Sequence, residues 1–160
     1  MKKIIIKEGK NTLSVKDISN NEIIDTFLKG NIEWINKLYL NESFNNDKFI
    51  IKSLKRKLNG YKSQDVKKKR FDDIKFIGYD ELLEKIVVSK LLCYYCRCKC
   101  SLLSKKKRDM EQWTLDRINN DIGHFTKNVV ISCLKCNLQK RRRGDEHFKF
   151  AKQMRIIKHY

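Results

Sequence analysis

Two Cys-x-x-Cys pairs constrain this chain more than any other feature: Cys93 with Cys96, and Cys133 with Cys136. Four thiolates paired this way suit one closed tetrahedral zinc site. Such a site joins the ends of a small core that lacks enough apolar burial to hold by itself. Cys98 and Cys100 crowd the first pair. Either is an alternative to Cys96 in the ligand set, or else a free thiol near the knuckle. The apolar run Ile4 to Ile6 is too short between lysines for a secretory leader. A reducing compartment then favours metal ligation over disulfides.

The charge narrows the partner. Against 19 acidic residues stand 37 Lys and Arg, a formal net charge of +18. A surface this positive attracts polyanions, and displaced counterions drive its binding to phosphates. DNA is the expected partner, with RNA as an alternative. Basic runs at Lys67 to Arg70 and Lys105 to Arg108 also match nuclear-import signals in outline. The expected location is intracellular: a nucleus, a nucleoid or a viral replication site. No stretch approaches the roughly 18 apolar residues of a membrane span.

The chain is long enough for one domain or a small domain with a helical arm. Ile4 to Ile6 favour a short strand. Apolar residues recur at helical spacing over 21–41, interrupted near Gly30, and again over 46–58, where Asn59-Gly60 reads as a stop. Residues 61–73 read as a basic linker or an exposed DNA-contacting segment, and 79–92 as a third helix. From Cys93 the character changes. A knuckle leads to a strand over Trp113–Ile118, a second strand near Val129–Ile131, and a helix opening after Cys133. A last helix is expected from Glu146 to Ile157. The expected class is α+β: a mainly helical N-terminal region, then a zinc-stapled ββα-metal core, then a C-terminal helix. The expected divisions are a helical, basic accessory region over 1–80, the core over 81–145 and the closing helix over 146–160. Trp113 reads as core packing against the helix that carries Leu138, and Tyr94 and Tyr95 as packing residues.

Between the cysteine pairs run Trp113-Thr114-Leu115-Asp116-Arg117-Ile118-Asn119-Asn120, then Gly123-His124, then Asn128-Val129-Val130. After them comes Cys136-Asn137-Leu138-Gln139-Lys140. Taken jointly, this spacing over residues 93 to about 143 resembles the HNH endonuclease superfamily, in a variant found in phages and large DNA viruses. The segment Gly60-Tyr61-Lys62-Ser63-Gln64-Asp65 and the lysines after it also look like an upstream part of such viral proteins.

The resemblance implies roles for single residues. Cys93, Cys96, Cys133 and Cys136 are the implied structural zinc ligands. Asp116 and Asn137 are the implied ligands of a catalytic magnesium or manganese ion, which suits hard oxygen donors. The alternatives are an Asp116 salt bridge and an Asn137 that steadies the knuckle-to-helix turn. Asn128 is implied to hold the loop and align the catalytic histidine. That histidine is missing, because the family's Asp-His-Ile is Leu115-Asp116-Arg117-Ile118 here. Arginine stays protonated and cannot take a proton from water. It can bind a phosphate oxygen. His124 is the substitute base the sequence offers, since imidazole titrates in the right range. Its alternative is a loop histidine contacting DNA or packing on Phe125. Lys105, Lys106, Lys107 and Arg108, with Lys140, Arg141, Arg142 and Arg143, are the candidate phosphate contacts.

Two functions follow as expectations. One is a metal-dependent DNA endonuclease that nicks as a monomer or cuts both strands as a homodimer. The other is a catalytically impaired nucleic-acid-binding zinc protein of the same fold, alone or within a larger nucleoprotein assembly. Asp116 with Asn137 favours the first, and Arg117 favours the second.

Overall fold

The computed structural model describes residues 32–104 and 108–154. The strand expected at Ile4 to Ile6, the first part of the helical stretch expected over 21–41, and Lys105, Lys106 and Lys107 lie outside them. Three helices come first: α1 (Ile32–Tyr39), α2 (Asp47–Lys67) and α3 (Tyr79–Ser89). An antiparallel hairpin follows, β1 (Trp113–Arg117) and β2 (Val129–Cys133). It leads directly into α4 (Leu134–Lys140), and α5 (Asp145–Gln153) closes the described chain. The expected α+β order, with helices, a ββα unit and a final helix, is the observed one. No described helix is long and apolar enough to cross a membrane.

The long helix α2 corrects the sequence reading. It does not stop at Asn59-Gly60 but runs through Gly60 to Lys67. Its buried residues Leu54, Leu58, Tyr61 and Asp65 continue one stripe at spacings of three and four. Packing of Tyr61 and Asp65 on the hairpin therefore outweighs the low helix propensity of one glycine, worth about 1 kcal/mol. Residues 61–67 are thus a helical turn facing the core, not a linker. A Cβ at Gly60 would meet nothing within 4 Å. Gly60→Ala is therefore expected to raise stability by about 0.5–1 kcal/mol, read as a higher midpoint in urea unfolding.

Glu81 starts α3 by accepting the Gly78 N–H at 2.7 Å, which satisfies one orphan donor of the first turn. After α3, Lys90 and Leu91 both adopt positive φ, 53° and 55°. Those two left-handed residues reverse the chain into the Cys93 knuckle.

The hairpin pairs Trp113 with Cys133, Leu115 with Ile131 and Arg117 with Val129. Side chains alternate along a strand, so Thr114 and Asp116 share one face and Trp113 and Leu115 the other. Both faces are buried. The Leu115 N–H donates to Tyr61 Oη at 3.0 Å. Lys57 of α2 sits over the Trp113 ring, 4.3 Å from its centroid, and donates to the Trp113 carbonyl. Trp113 is core as expected, and β1 lies against α4, the helix that carries the exposed Leu138. The Trp113 indole donates to Leu102 O at 3.0 Å. Buried residues of α1, α2, α3, the hairpin and α5 form one continuous cluster.

Candidate functional site

The knuckle Cys93–Cys96 lies beside the end of β2 because the Tyr94 N–H donates to Ile131 O at 2.9 Å. Arg97, at φ 60°, closes the turn, with its N–H on Cys93 O at 3.0 Å. Cys133 caps α4, its sulfur accepting the Cys136 N–H at 3.4 Å. The Sγ atoms of Cys93, Cys96, Cys133 and Cys136 all lie within 4.8 Å of one another. Cys96 Sγ and Cys133 Sγ are 3.9 Å apart. A tetrahedron with metal–sulfur bonds of about 2.3 Å has edges of about 3.8 Å. The described chain therefore forms a four-cysteine cluster able to hold one metal ion, with the four expected ligands. Cys100 is buried and Cys98 exposed, and neither is in the cluster.

The cluster's electrostatics explain why a cation suits it. A hydrogen bond with Cys133 and then burial push the Cys93 thiol up to about 12. Burial and the nearby Cys93 sulfur do the same for Cys136. Ionising neighbouring buried thiols is costly, and a doubly charged ion removes that cost.

The second expected site is built differently from its expectation. Asp116 is 5% exposed and already has two partners. The Tyr95 hydroxyl donates to Asp116 Oδ2 at 2.5 Å, and Lys140 Nζ lies 3.2 Å from the same oxygen. Lys140 Nζ also donates to Arg117 O at 2.7 Å. Lys140 is 0% exposed, which lysines rarely are without a partner. It is therefore not the surface phosphate contact expected of it. It is the counter-ion of Asp116. Burial still raises the Asp116 carboxyl above its ordinary range, outweighing Tyr95 and Lys140.

Asn137 does not join this carboxylate. Its Nδ2 donates to Thr114 Oγ1 at 3.0 Å and to Leu115 O at 3.4 Å. The side chain ties α4 to β1. A divalent ion bound by Asp116 would displace an ammonium from a buried carboxylate. The residues present do not fit a magnesium or manganese site.

Asn128 bonds the backbone of the loop before it. Its Oδ1 accepts the Asn119 N–H at 2.9 Å, and its Nδ2 donates to Asn119 O and Gly123 O, each at 2.9 Å. These bonds hold residues 119–123 in shape just before His124.

His124 is not an exposed loop residue but 4% exposed. Asp65 of α2 grips it twice, accepting its backbone N–H at 2.6 Å and pairing with Nδ1 at 2.8 Å. Its ring packs on Tyr61, 4.7 Å between centroids. Burial lowers its proton affinity, against the pull of Asp65. Asp65 takes the Nδ1 side of the ring, and the residue as a whole is left little surface. The arrangement pins the helix to the hairpin. Gly123 permits it, because a Cβ there would lie 2.6 Å from Arg70 O and 2.8 Å from Asp65 Oδ2. Asp65→Ala is expected to cost about 2–4 kcal/mol, since two bonds to a buried charged group are lost. Chemical denaturation at fixed zinc concentration measures it.

Sequence reasoning missed Asp65 as a partner of His124. The signal was present in the stripe Leu54, Leu58, Tyr61, Asp65, which puts Asp65 on the core face.

No family model matches the chain. It resembles a viral protein. Uncharacterized protein R423 of Acanthamoeba polyphaga mimivirus is 34% identical over 88 residues, covering 55% of this chain and 14% of that protein. The matched region is thus a small part of the relative's length. No solved structure matches.

The basic side chains lie apart from these buried groups. Arg108, Arg141, Arg142 and Arg143 are exposed. So are Lys52, Lys55, Lys62, Lys67, Lys68 and Lys69 along α2 and its end, a basic face that was expected only from residue 61 onward. A groove of about 560 Å³ is lined by α1, α2, α3 and the loop after α1, and shares no residue with the hairpin. Glu42, Asp47 and Asp80 on its wall do not suit a polyanion.

Proposed function

We propose that this chain is a zinc-stapled nucleic-acid-binding protein, similar to the HNH superfamily in its ββα unit but not a hydrolase of phosphodiester bonds. The buried Lys140–Asp116 pair carries the reading. Asp116 is the carboxylate that a nuclease of this kind would give to its catalytic ion. Here it neutralises the chain's own ammonium. Arg117 occupies the position of the family's base and cannot accept a proton. His124 is 4% exposed and its Nδ1 is held by Asp65 of α2, which fits a ring that pins the helix to the loop.

What remains is suited to binding. The net charge of +18 and the exposed basic face of α2 favour DNA, through phosphate contacts independent of sequence. Zinc in the four-cysteine cluster acts by holding the knuckle, β2 and α4 together, not by chemistry on the substrate.

The experiment is an electrophoretic shift series on supercoiled and branched DNA, with magnesium or manganese and rising salt. The expected result is retardation that weakens steeply with salt and leaves the DNA intact. With about 6–10 phosphate contacts, affinity falls about 10³–10⁵-fold between about 50 and 200 mM salt. Metal-dependent nicking that disappears in Asp116→Ala would overturn the reading, as would a complete lack of retardation.

A further inference from the structure

Two arginines from distant parts of the sequence meet at one carbonyl oxygen. Arg70 Nη1 donates to Asn120 O at 2.5 Å. Arg117 Nη1 donates to the same oxygen at 3.3 Å and to Ile122 O at 3.2 Å. Each arrives by its own route. Lys69 has φ 55°, which turns the chain after α2 and brings Arg70 back, with its N–H on Asp65 O at 2.9 Å. Arg117 ends β1. The loop between them is fixed from a third side, because Asn120 Nδ2 donates to Arg141 O at 2.6 Å.

Both guanidiniums are half-buried, and neither forms an ion pair within 4 Å among the described residues. Two of the nearby carboxylates are engaged, Asp65 with His124 and Asp116 with Lys140. Asp121, the third, is exposed to solvent, where its field is screened. Burial and the neighbouring charge of Arg70 both weaken proton binding at Arg117. Each guanidinium carries five N–H donors in a rigid plane, and the bonds named here use one nitrogen of each. Two rigid like-charged forks held this close favour an anion that can accept from both. A phosphodiester has two nonbridging oxygens for the purpose.

We propose that Arg70 and Arg117 form a clamp for one phosphate of a nucleic-acid backbone, with Asn120 O holding both forks in register. The proposal rests on the nucleic-acid reading above and names the point where the hairpin loop takes hold of the strand. It requires no cleavage. It assigns Arg117 a binding role at the position where the resemblance implies a base, and it recruits Arg70, which lies in no zinc or hairpin motif.

The test uses the zinc-loaded full chain, with inorganic phosphate and a short DNA duplex as separate probes. Phosphate is titrated while the arginine Nε–Hε signals are followed by NMR. DNA affinity is measured for wild type, Arg70→Gln, Arg117→Gln and the double variant, with Tyr39→Phe on the acidic groove as a control. The clamp predicts that phosphate moves both arginine signals together. Each single substitution weakens DNA binding by about tenfold. The double variant loses far less than the product of the two, because both groups hold one phosphate. The charge-keeping Arg70→Lys and Arg117→Lys variants restore the salt dependence but not the full affinity. Losses that simply multiply would overturn the clamp, as would unmoved signals or unchanged DNA affinity in the double variant. If a substituted chain loses zinc or unfolds, the phosphate titration of wild type decides alone. The two readings separate cleanly. Phosphate shifts without DNA retardation sink nucleic-acid binding and leave the anion clamp. DNA retardation that ignores both arginines sinks the clamp alone.

Discussion

Removing zinc with a strong chelator, or replacing Cys136 by serine, is expected to abolish cooperative unfolding of the chain. Structural zinc sites contribute about 10–16 kcal/mol of apparent binding free energy at neutral pH. A domain of this size is stable by only about 5–15 kcal/mol. The cluster joins the knuckle, the last residue of β2 and the first turn of α4; Tyr95 of the knuckle donates to Asp116 of β1, and Lys140 ends α4. The loss should therefore spread beyond the cluster to the hairpin. Zinc affinity should also fall as the pH drops. Cys93 and Cys136 thiols, both pushed up to about 12, must lose protons for the ion to bind, so protons compete with it. Circular dichroism with parallel zinc quantitation reads both effects. A chelated chain that melts with the same midpoint and sharpness would show that the cysteines are not its staple.

The second large effect is expected at Lys140. Lys140→Ala leaves Asp116 as a buried charge without its counter-ion, and breaking such pairs costs about 3–5 kcal/mol. DNA affinity of the folded variant should change little, because a fully buried ammonium touches no phosphate. Asp116→Leu combined with Lys140→Met should recover most of the loss, since apolar residues of similar size replace buried ion pairs at little cost. A double-mutant cycle in urea gives the coupling. Had Lys140 been a surface contact, as its place before Arg141 to Arg143 suggests, the pattern would reverse. Stability would hold and binding would fall.

The contrast between these two sites shows what the sequence makes legible. The four-cysteine cluster is readable because a tetrahedral metal site needs a fixed chemistry at a fixed spacing. Asn128 is readable for a similar reason, as a side chain satisfying its own loop's backbone. Lys140 is not, because a run of four basic residues reads as solvated. A helical count corrects it. Lys140 follows Cys136 by four positions, so the two share a face, and Cys136 faces the core. Arg141 to Arg143, beyond the end of α4, are the residues left to solvent.

The helical region shows the same limit at longer range. Asp65 meets His124, and Tyr61 meets Leu115, across more than fifty residues of sequence. No local pattern records such a pairing. Gly60 then misplaced the end of α2, because a local stop signal was weighed without the packing that overrides it. The partner of Asp116 is no more legible locally, because Lys140 lies 24 residues further along the chain.

The most direct measurement is a manganese titration of the zinc-loaded chain, followed by paramagnetic broadening of its backbone NMR signals. With Lys140 holding Asp116, broadening around residues 114–117 and 137 should be absent at concentrations where a magnesium-class site would fill. Selective, saturable broadening at Asp116 and Asn137 would mean that the ion displaces Lys140, and the central claim would be wrong.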